Sequence, residues 1–245
     1  MDNATYISLS RQSGLMKELS VIANNMANAN TIGFKREGAI FTEFINAANG
    51  DIPDKGPRHS MSMGRLGAHF SHFSYGELRR TGGELDVAID GEGFFTVEAP
   101  GGERLTRAGH FLTNQEGTLV TPDGMPVLDQ AGGQIQIPQE VNRLAIGGDG
   151  TISADGIELA KLGIVNAAPE TMSRDGGNLW IAREGTEVLE EPRVLQGFTE
   201  DSNVQPVAEI ARMIEVQRYY DAGQKLLEME DERIRQVITT IRQIG

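Results

Sequence analysis

Apolar residues recur along the last part of the chain with a period of three and a half. Counting in sevens, one row is Met213, Tyr220, Leu227, Ile234 and Ile241, and its companion is Val216, Gly223, Glu230, Val237 and Ile244. Eight of these ten positions are apolar, and charged residues from Arg212 to Arg235 fill the positions between them. That is the seam of a coiled coil with solvated flanks. Asp201, Ser202 and Asn203 are helix-starting residue types, and Pro206 suits a first helical turn, so the pattern predicts one helix from Pro206 to Ile244. Such a helix is roughly 57 Å long at 1.5 Å per residue, whereas a compact globule of this chain length is ~45 Å across. A helix longer than its own domain is expected to pack on other helices, from the N-terminus of the same chain and from other subunits.

A second helical pattern lies at the other end. Ile7, Leu15, Leu19, Ile22, Ala23 and Met26 fall on one stripe, which predicts a helix from about Ala4 to Ala27. Its end is crowded with asparagine: Asn24, Asn25, Asn28 and Asn30 fall within seven residues. Amide side chains compete for backbone hydrogen bonds and disfavour helix interiors. The box therefore reads either as a helix end running into a polar loop or as an interface whose amides bond neighbouring chains. Gly33 is placed for the left-handed turn that ends a helix.

Between the helices the pattern shortens. Residues 37–75 carry no clear period, and Asn49 to Pro57 has the composition of a linker. From Gly76 to Glu200, which hold 21 of the 30 glycines, apolar residues come in short runs divided by turn signals. Leu85, Val87 and Ile89 alternate with Asp86, Ala88 and Asp90, predicting a half-buried strand with the two aspartates facing solvent. Further strands are predicted at Phe94–Val97 and around Leu105, Phe111, Leu119, Val127, Ile135, Leu144, Leu162, Trp180 and Val194. This spacing argues an all-β domain of sandwich or barrel type. Gly147-Gly148-Asp149-Gly150 reads as a hairpin turn, because it is not repeated and no helix or lysine follows it.

Composition narrows the function. The net charge of −13 divides into +2 over residues 1–36, −1 over residues 207–245 and −14 between, so no basic patch invites nucleic acid. No stretch approaches the ~20 apolar residues of a membrane span, and the opening Met1-Asp2-Asn3-Ala4-Thr5 has no signal-peptide pattern. With no cysteine there are no disulfides or thiolate metal sites. His69 and His72 have a ligand-like spacing but no third ligand nearby, and no nucleophile, base and acid set stands out. No active site, metal or cofactor is expected.

Three separated stretches carry a family resemblance. Ala23-Asn24-Asn25-Met26-Ala27-Asn28 with Thr31-Ile32-Gly33-Phe34-Lys35 resembles the N-terminal motif of bacterial flagellar rod and hook proteins. Gly76-Glu77-Leu78 with Thr81 to Phe95, continued by Leu105 to Phe111 and Gly117 to Val120, is similar to the stretch that opens their β domain. Ser202-Asn203-Val204 with Met213-Ile214-Glu215 and Gln217 to Tyr220 is similar to their C-terminal motif. Hook members are usually much longer, and the opening residues lie nearer the proximal than the distal rod type. The resemblance implies a non-enzymatic subunit of the hollow, torque-bearing rod of the flagellar basal body. It also implies export through the flagellar type III apparatus without a cleaved signal, a periplasmic position, and partners that are copies of itself and rod proteins of the FlgB, FlgC and FlgG types.

The expected fold class is α+β. Long N- and C-terminal helices form a coiled-coil-like axial domain, and the central domain is all-β with short antiparallel strands. The expected segments are 1–36, a connection over 37–75, the β domain over 76–200, and 201–245. The expected assembly surface comprises Leu15, Leu19, Ile22, Asn24, Asn25 and Asn28 at one end, with Met213, Val216, Tyr220, Leu227, Ile234, Val237 and Ile241 at the other. One N-terminal helix can cover only one side of the seam, so ordering of the termini is expected to be coupled to assembly. A β-domain binding protein with a helical oligomerisation tail is the competing reading.

Overall fold

The computed structural model describes the backbone of residues 2–46 and 61–244, and the side-chain surroundings of residues 8–39, 70–240 and 242. The linker-like stretch from Asn49 to Pro57 and the side chain of His69 lie outside these. The chain divides into two compact units, one of residues 1–26, 37–70 and 205–245, the other of residues 27–36 and 71–204.

The first unit is built on two helices, α1 (Asp2–Ala27) and α2 (Pro206–Ile244). The bounds of α2 are those the pattern predicts. Proline supplies the fixed φ of a first turn without a donor to waste, and the 3.5-residue period continues to the end. Of the three residues read as helix starters, Asn203 has another task. Its amide donates to the carbonyls of His72 and Ser74, and its oxygen accepts from the Arg36 backbone amide. A pair of strands, Glu37–Asn46 and Met61–Ser71, occupies much of the stretch in which no period is legible.

The second unit is β-rich. Its largest sheet has six strands in the order 172–174, 180–182, 102–106, 94–99, 164–166 and 187–188, and every adjacent pair is antiparallel. A three-stranded sheet places 151–154 between 144–146 and 157–161. Within it Asp155 and Gly156 have φ of 50° and 85°, the two left-handed residues of a tight hairpin. Three strand pairs complete the unit: 87–89 with 194–196, 78–80 with 198–200, and 112–113 with 119–120. The main core gathers Val87, Phe95, Val97, Phe111, Val127, Ile135, Ile152 and Leu162, and a second cluster surrounds the fully buried Trp180. There Phe73, Phe94 and Trp180 meet at centroid distances of 5.6–5.9 Å, mostly edge to face, as aromatic quadrupoles favour.

The strand around Val87 departs from the expectation. Val87, Ala88 and Ile89 are all buried, and so is Asp86. Asp86 does not face solvent. It accepts hydrogen bonds from the Thr81 hydroxyl at 2.5 Å and pairs with His110 Nδ1 at 2.5 Å, so the alternating pattern hid a buried polar site. Asp90 is half-exposed and pairs with Arg193 at 3.0 Å. Burial pushes the Asp86 carboxyl up, but the hydrogen bonds from Thr81 and His110 outweigh it and hold the carboxyl below its usual 3.8. A depressed carboxylate contributes stability that is present above the unfolded value and is lost as pH falls through the folded one. Asp86→Asn should therefore cost about 1.5–3 kcal/mol near neutral pH, the range for a hydrogen bond to a charged group. In urea melts, the gap to the parent protein should narrow as pH falls below 3.8. A gap that stays constant down to pH ~2 would show that the carboxylate is not the source.

Candidate assembly interface

Polar contacts fix the pairing of α1 with α2. Gln12 Nε2 donates to the Tyr220 carbonyl at 3.1 Å, Arg212 reaches Glu18 at 2.7 Å, and Asn25 Nδ2 reaches Glu209 at 3.3 Å. As numbers fall along α1 they rise along α2, so the helices run antiparallel. Burial pulls the Arg212 guanidinium down, but its hydrogen bonds to Glu18 and Glu215 prevail and raise it above its ordinary value. Gly223, one of the two non-apolar seam positions, is explained by this pairing: a Cβ there would lie 2.7 Å from the Gln12 amide nitrogen. Continued to its end, the register brings Asp2 opposite α2 near Glu230. The last turns of α2 run beyond α1.

Burial along the seam follows that geometry. Val216 is buried, and Met213, Tyr220 and Leu227 are half-buried. Ile234 and Val237 are exposed by 39% and 51%. The Ile241 side chain lies outside the described ones. On α1, Ile22 is buried, Leu15 and Leu19 are half-buried, and Ala23 of the expected stripe faces outward. The asparagines take different roles. Asn25 is 1% exposed and exchanges two 2.9 Å hydrogen bonds with the backbone of Glu37, one given and one received. Its amide is used within the chain. Asn24 is exposed, and Asn28, half-buried, accepts from the Thr31 hydroxyl at 3.2 Å.

A buried ionic cluster in the second unit ties together the segments that lead to both helices. Glu200 accepts from Lys35 Nζ at 2.5 Å, Arg107 Nε at 2.8 Å and the Gly76 amide at 2.9 Å. The three side chains are 1–3% exposed. Lys35 also donates to the Ser74 carbonyl at 2.8 Å, and Arg107 to the carbonyls of Gly93 and Gly91 at 2.5 and 2.9 Å. Both cations lie over the Tyr75 ring, at 5.9 and 5.5 Å. Burial lowers the Lys35 ammonium from its usual range, with Glu200 opposing. The Gly33 amide donates to the Glu200 carbonyl at 2.7 Å. Gly33 does have a left-handed φ of 67°, though six residues past the last residue of α1, so it shapes this crossing and not the helix cap.

Sequence reasoning missed Glu200, Arg107, Glu209 and Gln12. Lys35 and Arg107 lie within motifs quoted above. Arg107, a lone charge between Thr106 and Ala108, was the one available hint of a buried ion. A cavity of about 550 Å³ in the same unit has Lys35, Phe73, Tyr75, Phe94 and Arg107 among its lining. Glu200 already holds both cations, and no nucleophile stands beside them. No cluster of three or more metal-ligating side chains occurs among the described residues, and none of their helices is long and apolar enough to cross a membrane.

A helix that outruns its partner and leaves apolar side chains exposed offers a surface on which another helix can pack. Comparison with known proteins gives the family. Residues 6–35 match the family described as flagella basal body rod protein. Residues 88–154 match the flagellar hook protein FlgE/F/G D1 domain, and residues 195–240 the C-terminal family of flagellar basal body rod FlgEFG proteins. The chain is 42% identical to the flagellar basal-body rod protein FlgF of Caulobacter vibrioides, with all of both chains covered. It is 34% identical to FlgF of Rhizobium meliloti over 98% of each chain. To the flagellar basal-body rod protein FlgG of Bacillus subtilis it is 31% identical, over 99% of this chain and 100% of the relative. The chain belongs to the flagellar basal-body rod protein family and is FlgF-like within it. It is a structural, non-enzymatic subunit of the basal-body rod, and membership implies assembly with other rod proteins such as FlgG.

Two substitutions test the ionic cluster. Gly33→Ala places a Cβ 2.4 Å from the backbone of Arg107 and Ala108, in a conformation that already costs a side chain ~1–2 kcal/mol. With overpacking added, a loss of at least about 2 kcal/mol is expected in urea unfolding. Glu200→Gln leaves two buried cations without their counterion and should cost about 3–5 kcal/mol. A stability within ~1 kcal/mol of the parent would mean that the cluster is solvated in solution.

Proposed function

We propose that the chain enters the rod through its terminal segments, 1–36 and 201–245, as a coiled-coil-like axial layer, with 76–200 as a central β domain and 37–75 as the connection. The interface comprises Leu15, Leu19, Asn24, Asn28, Met213, Tyr220, Leu227, Ile234, Val237 and Ile241, with Ile22 and Val216, 3% and 1% exposed, supporting it from inside the chain. Asn25 contributes from inside the chain, by fixing α1 against Glu37 and Glu209. The supporting observation is the exposure of Ile234 and Val237, which continue the seam beyond the end of α1. Burying what remains exposed of the two, 39% and 51%, would contribute about 0.6–1.5 kcal/mol each. Among the described residues nothing covers them fully.

The neighbours are copies of the chain and rod proteins of the FlgB, FlgC and FlgG types, in a hollow shaft that carries torque. The proximal, FlgF-type position is supported by the FlgF relative at 42% identity; two further FlgF relatives, at 34% and 31%, fall within the 30–35% of the FlgG relatives. The chain reaches the periplasm through the flagellar type III apparatus without a cleaved signal. Ile234→Asp combined with Val237→Asp tests the reading, because both side chains are exposed in the single chain and their replacement should change its stability by no more than ~0.5 kcal/mol each. The variant should be exported and fold normally, yet be absent from isolated basal bodies and leave cells non-motile. Normal swimming by this double variant would overturn the assignment of the seam to assembly.

A further inference from the structure

Away from the contact between them, α1 and α2 each carry a second row at helical spacing. On α1 the row is Leu9, Ser13, Met16, Ser20 and Ala23, all exposed, with Leu9 and Met16 exposed by 61% and 52%. It lies on the side of α1 opposite Glu18, Val21, Ile22 and Asn25, which face α2 or the interior. On α2 the row is Tyr219, Ala222, Leu226, Met229 and Arg233, again all exposed, with Tyr219, Leu226 and Met229 at 49%, 54% and 67%. Both rows step by alternating fours and threes, the spacing that lets one straight helix lie along another.

We propose that in the assembled rod the outer row of α1 in one copy receives the outer row of α2 in the next copy. This rests on the reading of the chain as a rod subunit and names the partner surface. Three features favour a second copy. The rows have equal length, about 21 Å at 1.5 Å per residue. They are complementary in size: Ser13, Ser20 and Ala23 leave shallow ground on α1 where Tyr219, Leu226 and Met229 can settle. They are complementary in charge as well. Between Leu9 and Ala23, α1 carries Arg11, Lys17 and one acid, Glu18, which Arg212 already holds. Between Tyr219 and Arg233, α2 carries five acids, Asp221, Glu228, Glu230, Asp231 and Glu232, against two bases, Lys225 and Arg233, the second of which Glu230 already holds.

The two rows differ, so the contact is heterologous: each copy offers one row forward and the other back, and growth continues without a symmetric dimer. Ser20 needs nothing from the neighbour, because its hydroxyl already donates to the Met16 carbonyl at 3.1 Å. The row on α2 is likewise prepared, with the Tyr219 hydroxyl donating to Glu215 at 3.4 Å and Glu230 held by Arg233 at 2.5 Å.

The chain has no cysteine, so engineered thiols report without background. Met16 and Leu226 are the centres of their rows and meet whether the helices dock parallel or antiparallel. Met16→Cys and Leu226→Cys chains, co-expressed as the only source of the protein in flagellated cells, are oxidised within isolated basal bodies and run on a denaturing gel. A band at twice the 26.6 kDa of the chain, formed from the mixture and from neither variant alone, is the expected result. Met229→Cys or Ala222→Cys serves as the second variant should Leu226→Cys fail to enter the rod. Basal bodies that contain both chains and yield no such band overturn the proposal. A dimer from Met16→Cys alone, or an adduct with a different rod protein, overturns it too. Absence of the unmodified chain from isolated rods would instead overturn the rod assignment itself.

Discussion

Glu200 is one carboxylate placed between two buried cations. Taking Lys35 and Arg107 out of water costs several kcal/mol for each ion, and only close, fully hydrogen-bonded partners offset it. The chain meets that demand from four directions: strand 198–200 brings the anion, and segments 33–36, 74–76 and 91–93 bring amides, carbonyls or the ammonium. Every partner must be in place at once, because a buried charge left unpaired is worse than none. The arrangement therefore fixes the distance between the stretch that follows α1 and the stretch that precedes α2 more firmly than apolar packing alone could. Apolar contacts tolerate sliding; three charges and their carbonyls do not. Asn203 repeats the device with neutral groups, joining Arg36, His72 and Ser74.

The antiparallel pairing of α1 with α2 depends on the same economy of polar groups. Asn25, Glu18 and Gln12 each answer a group on α2 or beside it, so the register is set by side chains that have one acceptable partner. Leucine and isoleucine supply the burial, but their contacts would survive a shift of one turn. Gly223 belongs to this logic, since a larger seam residue would displace the Gln12 amide.

This division explains what the sequence disclosed. The bounds of α2, the end of α1 at Ala27 and the presence of a β region rest on period and on residues with fixed backbone habits, Pro206 among them. Both kinds of signal are local. Asp155-Gly156 is legible as a turn signal, but the strands that it joins, Thr151–Ala154 and Ile157–Lys161, are not among the expected ones. Of the buried ions, Arg107 alone carried a signal, as a single charge among uncharged neighbours. Glu200 pairs with residues 165 and 93 positions away, and nothing in a linear pattern marks a glutamate as interior when its counterions are that distant. Asp86 misled for a related reason: alternation shows which residues can face the core, but not that the other face is covered as well.

The same asymmetry bears on assembly. A seam read from sequence locates a helix surface but not its occupant. In this chain Val216 is buried and Tyr220 half-buried, while Ile234 and Val237 are exposed, although all four belong to the same two-row seam. The seam changes from buried to exposed along a single helix, so the element that completes the fold also carries uncovered apolar surface. The α1 contact orients the first half of α2, and the rigidity of an unbroken helix presents the second half at a defined angle. An α2 that ended near Glu230 would pair equally well with α1 and offer a neighbour little apolar surface. The extra turns add little to the fold of the single chain, and the apolar side chains Ile234, Val237 and Ile238 on them stay exposed in it.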